Sequence, residues 1–402
     1  MRVEFSNLVA TKPPRLSKAF RLENDTLTSH AVAQMVEGVV YKRTVDSIEA
    51  LASFLAEMKG HNWAIVAGIT AYSEAQVVTK KVLARGTSKV PTVARCKQQF
   101  YFPDGPGLLC LDYDPQGEGA PLTASEFYGT LVACCPWLAG VGAVITASAS
   151  SHIYEQATGK QFKGPGGLHA YLLIDQAGEI PNAINAIFQS SFAQHGYALI
   201  TKSGAILPRT LVDRSSPQPE RLLFECGAVM TEDLEQRRPL PHVVPGHYLA
   251  SQSIPSRTSY EIWRTLDPIW LGMKRNAAPG AERVREAWIG ERLASGKISR
   301  ETLERAVCGG TLGDDFLIAL PSQGAVSIRT IRTNMPRYEG MQIPDPLEPD
   351  YRDGSLCAVI FSWGIFSQAH GGYQLQFSKG WVDAQEPIDF DLNLPEKDID
   401  FD

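Results

Sequence analysis

The sequence predicts an α+β fold in which a sheet covered by helices is followed by a helical region and a small β region. Between Gly107 and Gly227, short apolar segments of strand length alternate with longer segments whose apolar residues recur at helical spacing. From Thr258 to Val307 the sequence becomes helical and charged, and short strand-like segments with proline-rich loops follow it. Alternation with short connections is typical of a sheet packed against helices.

Start and stop signals define the individual elements. The first helix is predicted at Ser47–Met58, where apolar residues follow a serine at helical spacing. In the central region, one helix is predicted to begin at Thr123 or Ser125, and another to end before Gly196. The later helical region is predicted to be interrupted at 278–280, which reads "APG". The strands of the central region are predicted, in order, at "LLCLDYD", "VGAVITAS", "LHAYLLID", "YALIT", "RTLVD" and "RLLFEC".

The composition argues against several classes of protein. The chain has 402 residues, 44% of them hydrophobic, and no run of about 18 apolar residues that would span a membrane. The N-terminus lacks the apolar segment of a secretory signal, and the seven cysteines form no CxxC pair, so a reducing, cytoplasmic location is expected. The adjacent Cys134 and Cys135 are interpreted as buried apolar residues.

Charge is distributed unevenly along the chain, although the formal net charge is only −6. Residues 75–103 contain six basic residues and no acidic one, whereas residues 383–402 contain eight acidic residues and one lysine. The basic segment is interpreted either as a solvated surface or as a surface that follows a nucleic-acid backbone, and the acidic tail as disordered.

The segment "LLCLDYDP" ends a predicted strand with two aspartates, Asp112 and Asp114. Side chains alternate along a strand, so both carboxylates are expected on the same face. Carboxylates that lie close together repel each other, and a hard divalent cation such as Mg²⁺ or Mn²⁺ relieves this repulsion by binding them. The alternative interpretation is a strand that simply ends in solvent.

Two further segments carry polar groups beside predicted strands. In "GPGGLHAYLLI", His169 follows a glycine-rich turn whose backbone can approach a ligand closely. In "LPRTLVDRSSPQPERLLFECG", Asp213 ends a predicted strand and has Arg209, Arg214 and Arg221 near it. Each residue has an ordinary structural alternative, such as a surface ion pair or a bond to a backbone carbonyl. Together they match the side chains that two metal ions and a polyphosphate require in nucleotidyl transfer.

The order and context of these segments resemble the archaeo-eukaryotic primase superfamily, and in particular the bifunctional primase-polymerases of phages and plasmids. Asp112 and Asp114 match the first motif of that family, His169 its histidine motif and Asp213 its third motif. The segments "DPLEPDY" and "SQAHGGYQL" are similar to a region that often follows the primase core. The resemblance covers most of the chain and is strongest at 95–227.

The resemblance implies a fold with an α/β module joined to a catalytic module that resembles an RNA-recognition motif. The implied boundaries are 1–106 for the first module, 107–245 for the catalytic module, 246–310 for a helical accessory region and 311–402 for a small β region with the acidic tail.

The resemblance also implies a DNA-directed primase and DNA polymerase, which synthesises and extends primers on single-stranded DNA during replication of a mobile element. The chain would act in the cytoplasm of a bacterial or phage-infected cell, on nucleoside triphosphates. Two Mg²⁺ or Mn²⁺ ions held by Asp112, Asp114 and Asp213 are the implied cofactors, and His169 would contact phosphates. Further nucleotide-binding residues are expected at Ser148, Ser150, Lys163, Arg209, Arg214 and Arg221, and template-binding residues at Lys80, Lys81, Arg85, Lys89 and Arg95. Phe100, Tyr101 and Phe102 are interpreted either as rings that stack on template bases or as residues of a half-buried strand.

The chain departs from the family pattern at the serine-and-histidine motif. The serines lie in "TASASSHIY", and a separate segment that contains Lys163 lies between them and His169. His169 is preferred because it opens a strand directly after glycines, and His152 is the alternative. No GxxxxGK[ST] motif occurs, so a helicase is expected either in a longer chain or as a separate partner. A replication initiator without catalysis and a metal-dependent nuclease remain alternative functions.

Overall fold

The computed structural model describes residues 1–30, 35–58, 60–86, 89–115, 120–214, 218–255, 259–294, 298–321, 323–352 and 354–378. It confirms a mixed α+β structure, which divides into two compact units. Unit 1 comprises residues 1–196 and 209–266, and unit 2 comprises residues 197–208 and the described chain from 267 onward. The four segments expected from the sequence divide the chain more finely, and their boundaries stay a prediction. The acidic segment 383–402 lies outside the described residues.

Most strands are short. In chain order they are β1 (Val3–Lys12), β2 (Ala19–Glu23), β3 (Thr26–His30), β4 (Glu37–Val45), β5 (Trp63–Val66), β6 (Glu74–Val78), β7 (Thr92–Ala94), β8 (Gly107–Tyr113), β9 (Ala143–Ala147), β10 (Ile153–Glu155), β11 (Gln161–Lys163), β12 (Leu168–Ile174), β13 (Tyr197–Ile200), β14 (Ile206–Arg209), β15 (Val229–Met230), β16 (Leu234–Gln236), β17 (His242–Val244), β18 (Thr311–Leu312), β19 (Leu317–Leu320), β20 (Gly324–Ser327), β21 (Gln342–Ile343), β22 (Ala358–Phe361), β23 (Gly364–Ser367) and β24 (Tyr373–Phe377).

The helices range from single turns to one long helix. They are α1 (Ile48–Glu57), α2 (Lys80–Leu83), α3 (Ala124–Cys134), α4 (Ile180–His195), α5 (Ser259–Leu293), α6 (Arg300–Gly309), α7 (Ile328–Thr333) and α8 (Met335–Tyr338), with 3₁₀ turns at Pro136–Leu138, Ala177–Glu179, Ser251–Ser253 and Ala369–Gly371. Within the described residues, none of these helices combines the length and the apolar character needed to cross a membrane.

The predicted starts of α1 and α3 are confirmed by their caps. The Ser47 side chain accepts a hydrogen bond from the Ala50 N–H at 3.1 Å, which satisfies an N–H that α1 leaves without an intrahelical partner. Of the two predicted starts of α3, Thr123 is the cap, and it forms a reciprocal capping box with Glu126. Gly196 follows the end of α4, as predicted.

The predicted interruption at 278–280 is wrong, because α5 continues through Pro279. Trp270, Ala281 and Trp288 are buried on both sides of that proline, at spacings that return to the same helix face. Burial of this face outweighs the one hydrogen bond that a proline removes from a helix.

Unit 1 contains a five-stranded sheet in the order β5-β1-β4-β6-β7 and a four-stranded antiparallel sheet in the order β17-β9-β12-β8. In the second sheet β12 lies between β8 and β9, and β9 lies between β12 and β17. Along the chain, α3 connects β8 to β9. This split arrangement makes β8 an edge strand, whose outer backbone groups are accessible to another segment.

The four-stranded sheet is covered differently on its two faces. On one face the Tyr113 ring stacks on Phe127 of α3, with ring centroids 4.8 Å apart. On the other face Cys110 and Tyr171 belong to a core that includes Phe5 of the five-stranded sheet. The second face is therefore apolar along most of its length, and Asp112 lies where that cover ends.

Two predicted strands are absent from the described structure. Residues 210–213 of "RTLVD" form no strand, and the chain beyond β14 instead turns toward β8. The segment "RLLFEC" forms a single bridge, in which Leu223 and Ile65 exchange backbone hydrogen bonds. Leu222 and Leu223 pack into different apolar cores, so the segment is held mainly by its side chains and not by a ladder.

Unit 2 has a sheet in the order β18-β24-β23-β22-β21 and the hairpins β19-β20 and β13-β14. Its core contains Trp288, Leu303, Ile360 and Leu375, which brings α5 and α6 onto the sheet. The seven cysteines of the chain are free thiols, and Cys134 and Cys135 are buried, as predicted.

Candidate functional site

A row of polar residues crosses the open end of the four-stranded sheet. Asp112 on β8 lies directly opposite His169 on β12, and His169 lies opposite Thr146 on β9. Residues that face each other across antiparallel strands project from the same face. The Nε2 atom of His169 is 3.7 Å from Oδ1 of Asp112, close enough for charge attraction but too long for a hydrogen bond.

Asp213 joins this row from the edge of the sheet. Its backbone N–H donates a 2.8 Å hydrogen bond to the carbonyl oxygen of Asp112, which the edge position of β8 makes accessible. The Arg221 guanidinium lies between the two side chains, with Nη2 3.9 Å from Oδ2 of Asp112 and 3.8 Å from Oδ2 of Asp213. The structure thus brings Asp112, His169, Asp213 and Arg221 together, although they are far apart in the sequence.

Asp114 lies just beyond this group. The strand ends at Tyr113, so Asp114 is the first residue after it and is exposed. The expectation that Asp112 and Asp114 share a face assumed that the strand continues through Asp114, and for Asp114 it stays a prediction.

A buried carboxylate that the sequence analysis did not single out lies behind His169. Glu225 accepts a hydrogen bond from His169 Nδ1 and another, at 2.6 Å, from the Tyr171 hydroxyl. Arg238 donates to the Glu225 carbonyl oxygen at 2.8 Å and to the carbonyl oxygen of Ala147, and its Nη2 is 4.0 Å from Glu225 Oε2. A glutamate inside the apolar run "LLFEC" was the available signal, because a buried charge requires partners.

The pKa values of this pair shift in opposite directions. Burial alone would lower the pKa of His169, but the charge and hydrogen bond of Glu225 outweigh it and raise that pKa to about 9. Burial alone would raise the pKa of Glu225, yet the charge of His169 and its hydrogen bond lower it. At neutral pH the pair is therefore an imidazolium and a carboxylate, and both ring nitrogens of His169 are hydrogen-bond donors.

The glycine turn before β12 acts through close packing. A Cβ atom on Gly167 would lie 3.0 Å from the Tyr113 carbonyl oxygen and 3.4 Å from the Ser148 side chain. The Ser148 and Ser150 hydroxyls are 2.9 Å apart in the loop after β9. His152, the alternative motif histidine, follows with a left-handed φ of 57°, and burial and Arg238 lower its pKa. Of the two histidines, the structure sets His169 beside Asp112.

The other predicted phosphate-binding residues have different surroundings. The Arg214 guanidinium lies over the Phe188 ring of α4, 5.6 Å from its centroid, and burial lowers the pKa of Arg214. Lys163 at the end of β11 lies over the ring of Phe20, 5.0 Å from its centroid. Arg209 is the last residue of β14.

The predicted template residues lie at the β7 edge of the five-stranded sheet. Lys81, Arg85 and Lys89 are exposed and Lys80 is partly buried in α2, whereas Arg95 donates to the carbonyl oxygen of Glu220 at 3.2 Å. Phe100 is completely buried in a core, so of its two interpretations burial applies and its ring is not accessible to a base. Tyr101 is 44% exposed.

The carboxylate oxygens at the end of β8 are chemically suited to bind a hard divalent cation. Asp112 and Asp213 each point a carboxylate oxygen at the same cationic group of Arg221, and carboxylate oxygens are the ligands that Mg²⁺ and Mn²⁺ prefer. In the part of the chain that the structure describes, no set of three or more His, Cys, Asp or Glu side chains is already grouped around a metal position.

Comparison with known proteins gives no match: no protein-family model, no curated protein and no solved structure is similar to this chain at a significant level.

Proposed function

We propose that the protein is a primase-polymerase, which transfers nucleotides from nucleoside triphosphates to a primer on a single-stranded DNA template. One observation carries the proposal: Asp112, His169 and Asp213, the residues that match three separate family motifs, meet at one end of one sheet. In this proposal the four-stranded sheet with α3 and α4 on one face is the catalytic module that resembles an RNA-recognition motif, and the five-stranded sheet belongs to the N-terminal module.

In this proposal the acidic side chains bind metal ions and the basic side chains bind phosphate groups. Asp112, Asp114 and Asp213 would hold Mg²⁺ or Mn²⁺, which when bound supplies charge neutralisation for the triphosphate and for the leaving pyrophosphate. His169 is cationic at neutral pH and would donate Nε2–H to a phosphate oxygen. Arg221, whose Nη2 is 3.9 Å from Oδ2 of Asp112, would donate to the same polyphosphate. Arg209 and Lys163 remain candidate phosphate contacts.

The template would approach from the N-terminal module. Exposed basic residues at the β7 edge would follow its phosphates, and Tyr101 offers an exposed ring on which a base would stack at about 1–3 kcal/mol.

A single assay separates this proposal from its rivals. The protein is incubated with labelled ribonucleoside or deoxyribonucleoside triphosphates, Mn²⁺ or Mg²⁺, and an unprimed or primed single-stranded template. We expect labelled products longer than the nucleotide or primer supplied. A shortened template would instead support a metal-dependent nuclease. A template that keeps its length but migrates more slowly, because protein is bound to it, would support an initiator without catalysis. Either result would overturn the proposal.

A further inference from the structure

We infer that Glu225 is a positioning residue, which holds the His169 imidazole so that Nε2 faces Asp112 and a phosphate bound beside it. The inference rests on the proposed function, because that function supplies the phosphate. Glu225 is not among the residues to which the proposed function assigns a metal or a phosphate.

The hydrogen bonds of Glu225 fix both its own carboxylate and the histidine ring. His169 and Tyr171 are two residues apart on β12 and project from the same face, and both donate to Oε1 of Glu225. With Nδ1 bonded to Glu225, the opposite ring nitrogen must point away from the core. That nitrogen, Nε2, lies 3.7 Å from Asp112.

The backbone of Glu225 is fixed as well. Arg238 donates to the carbonyl oxygens of Glu225 and Ala147, which ties the segment to the end of β9. Leu223, two residues earlier, exchanges backbone hydrogen bonds with Ile65 of the five-stranded sheet. The segment 221–226 therefore places Arg221 beside the two aspartates and Glu225 behind the histidine.

Packing alone does not explain this residue. Glu225 lies beside the apolar core that contains Tyr171, Leu223 and Cys226, and its side chain is 1% exposed. Apolar residues of similar volume often serve such a position at no loss of stability, whereas a carboxylate there is costly unless it is paired. Carboxylates that orient a metal-ligating histidine from behind are a recurrent arrangement, and their replacement typically costs about 10–100-fold in metal affinity or activity. The same hydrogen bond would orient a histidine that contacts phosphate.

The test uses the full chain and three substitutions. Glu225→Gln keeps the shape and removes the charge, Glu225→Ala removes the acceptor, and Tyr171→Phe removes one hydrogen bond to Glu225 without touching His169. In the proton NMR spectrum of the metal-free protein, we expect a downfield, slowly exchanging ring N–H resonance. It should be absent in His169→Gln and Glu225→Ala and present in Tyr171→Phe.

In steady-state kinetics, we expect the substitution of Glu225 to affect nucleotide binding more than the chemical step. Glu225→Gln should raise KM for the nucleoside triphosphate about 10–100-fold with a smaller change in kcat, and Tyr171→Phe, which removes one of the two hydrogen bonds to Oε1, should raise KM less. Unchanged KM in folded Glu225→Gln would overturn the inference, as would a ring N–H resonance that persists in Glu225→Ala. If the wild-type protein adds no nucleotides, the phosphate part fails with the proposed function, and the resonance alone decides whether Glu225 holds His169.

Discussion

Each unit of the protein contains a histidine bonded to a buried glutamate, and the two pairs have nearly the same burial. The side chains of His169 and Glu225 in unit 1 are 16% and 1% exposed. Those of His370 and Glu348 in unit 2 are 17% and 3% exposed, with Nε2 of His370 2.9 Å from Oε2 of Glu348. Burial and pairing therefore do not distinguish a site from a structural contact.

The two pairs differ in the carboxylates around them. In unit 2, Glu348 also accepts hydrogen bonds from the N–H and hydroxyl of Ser203, and the buried Asp345 accepts from the hydroxyls of Ser367 and Tyr373. In unit 1, Asp112 and Asp213 are 29% and 30% exposed, and Nη2 of Arg221 lies 3.9 and 3.8 Å from them, beyond hydrogen-bond length. The two carboxylates of unit 2 are buried and hydrogen-bonded, whereas the two of unit 1 are partly exposed, so a ligand can reach them.

The largest expected effect on nucleotide addition is the difference between replacing an acidic residue of unit 1 and replacing one of unit 2. Asp112→Asn should lower nucleotide addition at least about 100-fold, because the charge it removes would hold the metal and is worth several kcal/mol in the transition state. Asp345→Asn should lower the melting temperature and leave addition unchanged at temperatures well below it. Labelled-nucleotide assays and thermal melts of both variants test this contrast, and equal losses of addition would break it.

The pH dependence of stability should also differ between the pairs. The pKa of His169 is raised from 6.5 to about 9, so its stabilisation is full below pH 6.5 and is lost as the pH rises through 9. Glu348 has a lowered pKa, so its stabilisation is present above the ordinary value of 4.5 and is lost as the pH falls.

Urea unfolding of the metal-free protein tests these signs. The difference in unfolding free energy between wild type and His169→Gln should shrink as the pH rises from about 6 to about 10. The corresponding difference in unfolding free energy between wild type and Glu348→Gln should shrink only as the pH falls into the acidic range. A His169→Gln difference that does not vary with pH would contradict the pairing with Glu225.

Histidine substitutions give the next effect in size. His169→Gln should lower nucleotide addition about 10–100-fold, since a charge-assisted hydrogen bond to phosphate contributes about 1.5–3 kcal/mol. His370→Gln and His152→Ala should leave addition within a few-fold of wild type. If His152→Ala is inactive and His169→Gln is active, the histidine motif has been assigned to the wrong residue.

These comparisons also explain which features the sequence could predict. Caps such as Ser47 and Thr123 act within one turn, and the alternation of β8 and β12 is local, so both could be predicted. The turn at Asp213 could not, because its position depends on the edge of β8, a strand distant in the sequence. Glu225 was overlooked because its partners, His169, Tyr171 and Arg238, lie on other elements, and only the tertiary structure brings them together.

The smallest expected effect concerns the template. Replacing Lys80, Lys81, Arg85 and Lys89 with alanine should flatten the salt dependence of single-stranded DNA binding by about 0.7 in log–log slope for each phosphate that is no longer neutralised. Addition on a primed template at saturating concentration should persist, because the strand-end acids are untouched. An unchanged slope would direct the search for the template path to Lys274 and Arg275 of α5, since Arg257 lies outside the described residues.

The most direct test of the proposed metal site measures how tightly the protein binds Mn²⁺ in the presence of a nucleoside triphosphate. Electron paramagnetic resonance monitors this binding. The comparison is between wild type, Asp112→Asn, Asp213→Asn and Asp350→Asn, the last a substitution of an exposed acid in unit 2. We expect both unit 1 variants to bind Mn²⁺ at least about tenfold more weakly, whereas Asp350→Asn should bind as wild type does. Equal Mn²⁺ affinity in all four proteins would contradict a metal-dependent site at Asp112 and Asp213.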